Sequence, residues 1–226
     1  VTEAANSNGM RPQRLIGGIL LANYMLVVIV KVATGRAIEL LWMSHVGLLA
    51  AGAGFICGSE LVIYAAFVGL AGLHGLWLYD AGAAFLTGAH PLGITRYLSS
   101  ATLANWLGTL HHFYLLPLLV AWVSRRPGAR IEALLLAIAT FLALTVICRF
   151  VCSPADNVNF AYGVDVTPRF RLSEWGNRQS ASVYLVGLNT FVALVYFAPA
   201  YAVTWLLALL RRVRPTHSSA VTILRA

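Results

Sequence analysis

Charge is scarce in this chain: charged residues make up only 11% of 226 positions, and Asp and Glu together number 8. A water-soluble domain cannot cover itself with so few, because ordinary soluble domains carry roughly 25% charged residues. Cysteine is scarcer still, with 3 in the chain (Cys57, Cys148 and Cys152). They form no CxxC pair, which excludes a zinc ribbon or a thioredoxin-type redox motif, and the absence of CxxCH excludes covalent haem. Cys148 and Cys152 share a helical face, where a disulfide would need local distortion. HExxH, HxxxH and GxSxG are missing too, so no local spacing specifies a metalloprotease or a serine hydrolase.

What is present is hydrophobic. Apolar residues fill 59% of the chain and mean hydropathy is +0.77. Several apolar runs reach about 20 residues, the length that crosses a hydrocarbon core as a helix. They do not alternate apolar with polar residues as barrel strands would. The expectation is an all-α integral membrane bundle of about six transmembrane helices, with a re-entrant or surface segment between spans three and four. The spans are placed at about 15–33, 38–57, 61–79, 103–123 (with Pro117 expected to kink it or leave one carbonyl unpaired), 131–151 and 183–210. Residues 1–14 read as a cytoplasmic tail before an uncleaved first span, 15–210 as the membrane domain, and 211–226 as a basic cytoplasmic tail.

The net charge of +8 does not point to nucleic acid, since the arginines stand at the ends of apolar runs and form no stripe. They report topology. Arg11 and Arg14, Arg125, Arg126 and Arg130, and Arg211, Arg212 and Arg214 flank spans on one side, so a bacterial inner membrane with both termini cytoplasmic is expected. Lys31, Arg36, Arg96, Arg169, Arg171 and Arg178 oppose this from the longer outer loops.

With that topology the buried polar residues gather in the outer leaflet: His45, His74, Asp80, His111, His112 and Arg149, with Asn157 and Asn159 just outside. Polar groups in lipid are expensive, so this many at one depth are expected to face inward around an outward-facing polar cavity. Each has a plainer role as well. His74, near Gly72 and Gly75, suits interhelical packing; Asp80 suits a helix cap; Arg149 can snorkel; Asn157 and Asn159 can order a loop. Trp42, Trp77, Tyr79, Tyr97 and Trp106 read as an interfacial aromatic belt.

Three uses of such a cavity follow. One is an accessory subunit or ligand-binding component of a membrane assembly, with lipids and other membrane-protein subunits as partners. The second is a histidine-dependent enzyme acting on a lipid or isoprenoid, with His45, His111 and His112 as ligands of a divalent metal. The third is an electron-transfer protein with noncovalent haem or a pigment between His45 and His111 or His112.

Taken in order, Ser44-His45, Trp77-Leu78-Tyr79-Asp80, Leu110-His111-His112-Phe113 and Asp156-Asn157-Val158-Asn159-Phe160 resemble bacterial polytopic membrane proteins of about this size, a resemblance covering residues 40–205 that implies no activity. The chain is also similar, more faintly, to the YwaF-like and androgen-induced transmembrane hydrolases. That likeness implies hydrolysis of lipid esters by a buried histidine, though no partner nucleophile stands in the matching position here.

Overall fold

The structure is a computed structural model that describes residues 3–164 and 171–213. Arg169, Arg214 and most of the basic tail proposed at 211–226 lie outside those residues. The chain is an all-α membrane bundle. Helices α1 (Glu3–Ala33), α2 (Met43–Cys57), α3 (Glu60–Thr87), α4 (Leu103–Thr109), α5 (His111–Val123), α6 (Ile131–Val151), α7 (Arg171–Asn177), α8 (Ala181–Val192) and α9 (Ala198–Val213) follow in order. Short 3-10 turns occupy Ala37–Leu41, Arg96–Ser100 and Val158–Phe160, and a π-turn at Ala193–Phe197 joins α8 to α9.

Among the described residues, 5 helical segments are long and apolar enough to cross a membrane: Pro12–Ala33, Glu60–Thr87, Leu103–Val123, Ile131–Val151 and Ala181–Arg212. The second expected span differs. Its first turn is a separate 3-10 segment, and α2 itself has only 15 residues, about 22 Å at the rise of an α-helix. Such a helix is tolerated because α1 and α3 pack on it from either side.

The α1–α2 crossing is built on small residues. A Cβ on Gly17 would lie 2.8 Å from the Gly52 carbonyl oxygen, and one on Gly52 would lie 2.8 Å from the Leu21 side chain. Backbones approach this closely in lipid because dispersion and close packing, not the hydrophobic effect, hold helices together there. Gly17→Leu is therefore expected to destabilise the bundle by about 1–3 kcal/mol, the usual cost of overpacking, seen as a lower unfolding midpoint in detergent; an unchanged midpoint would show that the crossing is loose.

Gly58, at φ +67°, ends α2, and Ser59 caps α3 by accepting from the Val62 N–H. Helix α3 is central: it packs on α2, α5, α6, the π-turn and α9, and buries Phe67, Val68 and Leu70. Sequence reasoning ended this span at Tyr79, but the helix continues to Thr87 and stops at Gly88, φ +75°. Asp80 thus lies within the helix and not at its end. The π-turn precedes Pro199, whose missing N–H interrupts the α-ladder in the turn before it.

Pro117 lies inside α5, which continues through it, and an interruption of the fourth span lies upstream, at Leu110. The cause is a side chain. His112 Nδ1 lies 3.1 Å from the Thr109 carbonyl, and the Phe113 N–H pairs with Leu110 O at 3.2 Å in an i→i+3 bond. A side chain that takes a ladder acceptor produces a local break of this kind.

Candidate functional site

The connections after α1, before α2, after α3, before α4, after α6 and before α8 lie at one end of this antiparallel bundle, and the imidazoles sit just below them. The opposite end carries the Arg125–Arg130 turn, pinned by Arg126 to Glu60 at 3.0 Å, by the Tyr64 hydroxyl on the Pro127 carbonyl, and by the Ala129 N–H on Thr204 at 3.0 Å.

Four histidines from α2, α3 and α5 form one cluster. Ring centroids are 5.2 Å apart for His45 and His111, 4.6 Å for His74 and His112, 5.9 Å for His74 and His111, and 4.1 Å for His111 and His112. The structure therefore brings His45, His111 and His112 together, and it adds His74, which its neighbouring glycines had suggested was a packing residue. Gly72 does serve packing, since a Cβ there would strike Tyr196 at 2.7 Å, whereas Gly75 meets nothing within 4 Å.

The four rings are held differently. His45 Nδ1 lies 2.6 Å from the Glu39 carbonyl, and His112 Nδ1 is on Thr109 O, so each turns its Nε2 elsewhere. Trp77 packs over His112 at 4.6 Å, and its indole N–H donates to the Tyr97 hydroxyl at 3.1 Å. His74 and His111 are 2% and 0% exposed, and neither ring nitrogen of either has a hydrogen-bond partner. Glu39, which sequence reasoning passed over, anchors this end of α1 and α2: its carboxylate pairs with Lys31 and Arg36 while its carbonyl faces His45. Its place just before a histidine-bearing helix was the available signal.

The remaining candidates serve backbone. Asp80, fully buried, accepts from the Leu92 N–H at 2.6 Å and from the Thr95 N–H and hydroxyl, both at 2.8 Å. It ties the segment after Gly88 down onto α3, and His90 joins that network through Thr95 at 2.8 Å. Asn159 bridges the break before α2, with Oδ1 accepting from the Met43 N–H at 2.8 Å and Nδ2 donating to Leu41 O at 2.7 Å. Asn157 closes its own loop, accepting from the Tyr162 N–H at 2.9 Å and donating to Gly163 O at 2.8 Å. Arg149 stacks on Tyr162 at 4.3 Å and points toward Ala161 O at 3.4 Å. At the loop surface, the Ser153 hydroxyl and N–H hold the exposed Asp156 carboxyl below its usual pKa. Cys148 and Cys152 are buried free thiols.

A cavity of about 910 Å³ adjoins the cluster. It is lined chiefly by α3 and α8, with Phe141 of α6 and Tyr196 of the π-turn. His74, His112 and Trp77 form one wall, Leu70, Leu73 and Phe141 line its depth, and Gln179 and Asn159 are among the few polar groups. The expected polar cavity is thus mostly apolar, because Asp80 and the asparagines spend their polar atoms on backbone. Trp42 and Trp77 turn inward to line it, leaving Tyr79 and Tyr97 exposed from the expected aromatic belt. Neither His45 nor His111 lines this cavity. His74, His111 and His112 each offer a ligand nitrogen, all within 4.8 Å of one another. No protein-family model, curated protein or solved structure matches this chain.

Proposed function

We propose that this chain binds a lipid-class molecule drawn from the bilayer, held in the cavity beside α3 and α8 with the imidazoles of His74 and His112 at its wall. The observation that carries the reading is the cavity's lining. Val183, Phe191 and Trp175 belong to it and are also exposed, so its mouth lies in an apolar surface that faces hydrocarbon in a membrane. An occupant of such a space is recruited from lipid and not from water, and a volume of about 910 Å³ is at the upper end of the range for small-molecule sites. Imidazole nitrogens at the wall give the site a means of hydrogen-bonding the polar part of that molecule.

Orientation follows the basic turns. Arg125, Arg126 and Arg130 with Arg211 and Arg212 mark the cytoplasmic face of a bacterial inner membrane, and the histidine end faces outward.

The test is extraction of copurifying apolar molecules from protein purified in mild detergent, read by mass spectrometry. Gly187 lines the cavity and a Cβ there meets nothing within 4 Å, so Gly187→Phe is the variant chosen to occupy the space. Wild type is expected to carry near-stoichiometric lipid-class ligand and Gly187→Phe at least 10-fold less. Equal amounts in the two proteins would reject the reading.

A further inference from the structure

We propose that His74, His111 and His112 bind one divalent transition-metal ion, with a fourth coordination position opening into the apolar cavity. This goes beyond lipid binding and stands independently of it. The ligand nitrogens already lie within 4.8 Å of one another, whereas three nitrogens bonded tetrahedrally at 2.0–2.1 Å stand about 3.3 Å apart. Small ring movements close that difference.

The stronger observation is what the rings lack. Four nitrogens, on His74 and His111, are buried with no partner, and a buried polar atom without one carries its full desolvation cost. A metal ion satisfies one lone pair on each ring. His112 holds its Nδ1 on a backbone carbonyl, as a metal-bound histidine usually does, which leaves its Nε2 as the ligand atom. His45 stands beside His111 in the same manner, on the carbonyl of Glu39, and falls outside the set that meets at one point; it supports the site instead of ligating.

Donor chemistry narrows the ion. Three imidazoles and no carboxylate suit zinc, copper, nickel or iron and offer nothing to magnesium or calcium, which prefer oxygen. Lys31, the nearest cation on α1, is paired with Glu39. Three neutral ligands leave the dication uncompensated in a medium of low dielectric, so the fourth position favours water ionised to hydroxide or another anion. His74 and His112 line the cavity, which places that anion against whatever the cavity holds.

The experiment uses the full chain with an affinity tag free of histidine, stripped with chelator and titrated with zinc and with cobalt. Wild type is expected to take up one equivalent, with cobalt giving the visible absorption of a tetrahedral nitrogen site, and to gain thermal stability on loading. His74→Ala, His111→Ala and His112→Ala are each expected to weaken binding at least 100-fold, while His90→Ala, outside the cluster, leaves it unchanged. His111→Leu guards against misfolding. It removes an unpartnered buried imidazole, so it should melt no lower than stripped wild type and gain nothing from metal. Failure of wild type to bind zinc, cobalt, copper or nickel, or binding indifferent to all three alanine variants, overturns the proposal. Gly187→Phe separates the two readings, because it is expected to lose lipid and keep metal.

Discussion

Asp80→Ala is expected to release the segment after Gly88 from the bundle and make Arg96 a preferred site of trypsin cleavage in proteoliposomes or detergent. Asp80 is fully buried and is the acceptor for the Leu92 and Thr95 N–H groups and for the Thr95 hydroxyl. Hydrogen bonds to a charged group contribute roughly 1.5–3 kcal/mol each, so losing the three together should cost on the order of 5 kcal/mol or more, mostly local to this segment. Leu92 and Ile94 of the same segment line the cavity, so the variant should also retain less copurifying ligand. Asp80→Asn keeps one acceptor oxygen and should fall between. If Arg96 resists trypsin equally in wild type and Asp80→Ala, the segment is held by its apolar contacts and not by the carboxylate.

The second large effect is expected at Asn159. Its amide supplies both missing partners at the break between Leu41 and Met43, and the residue has φ +53°, where asparagine is tolerated and leucine is not. Asn159→Leu should therefore lower stability by about 2–6 kcal/mol, the cost of two orphaned backbone groups at roughly 1–3 kcal/mol each. Asn159→Gly isolates the hydrogen bonds, since glycine accepts that backbone freely. A thermal midpoint near wild type for Asn159→Leu would mean that water enters and pairs the break. Phe160 shares the left-handed backbone at φ +58° and lines the cavity, and its carbonyl accepts the Tyr184 hydroxyl at 2.6 Å. Strain of this kind persists only where surroundings enforce it; here Asn159 and Tyr184 do.

These residues also show what the sequence could convey. Hydropathy made the bundle legible because lipid imposes it run by run, and the arginine turns made the ends of the spans legible for the same reason. Depth suggested that His45 could meet His111 or His112, but not that both adjacent rings would join it, since neighbours on a helix point about 100° apart. Depth could not separate a side chain aimed at a ligand from one aimed at backbone, and so Asp80, Asn157 and Asn159 were grouped with the imidazoles although their polar atoms are spent on nearby N–H and C=O groups. That distinction depends on where helices break. The breaks at Trp42 and Leu110 arise partly from the histidines themselves, His45 facing Glu39 O and His112 facing Thr109 O, and no propensity pattern contains them. The π-turn was hidden similarly, within a run whose hydropathy is uninterrupted. His74 was underweighted because Gly72 and Gly75 look alike in sequence; in the fold one meets Tyr196 and the other meets open space.

The central claim is that a bilayer molecule enters the bundle and lies against the histidine wall. The direct measurement is labelling in native membranes with a lipid carrying a photoreactive group in its acyl chain, followed by peptide mapping. Adducts are predicted on Leu73, Leu76 and Leu188, which line the cavity, and they should disappear in Gly187→Phe. Adducts confined to the exposed outer-face residues Leu135, Leu142 and Val186, with none inside, would contradict the account.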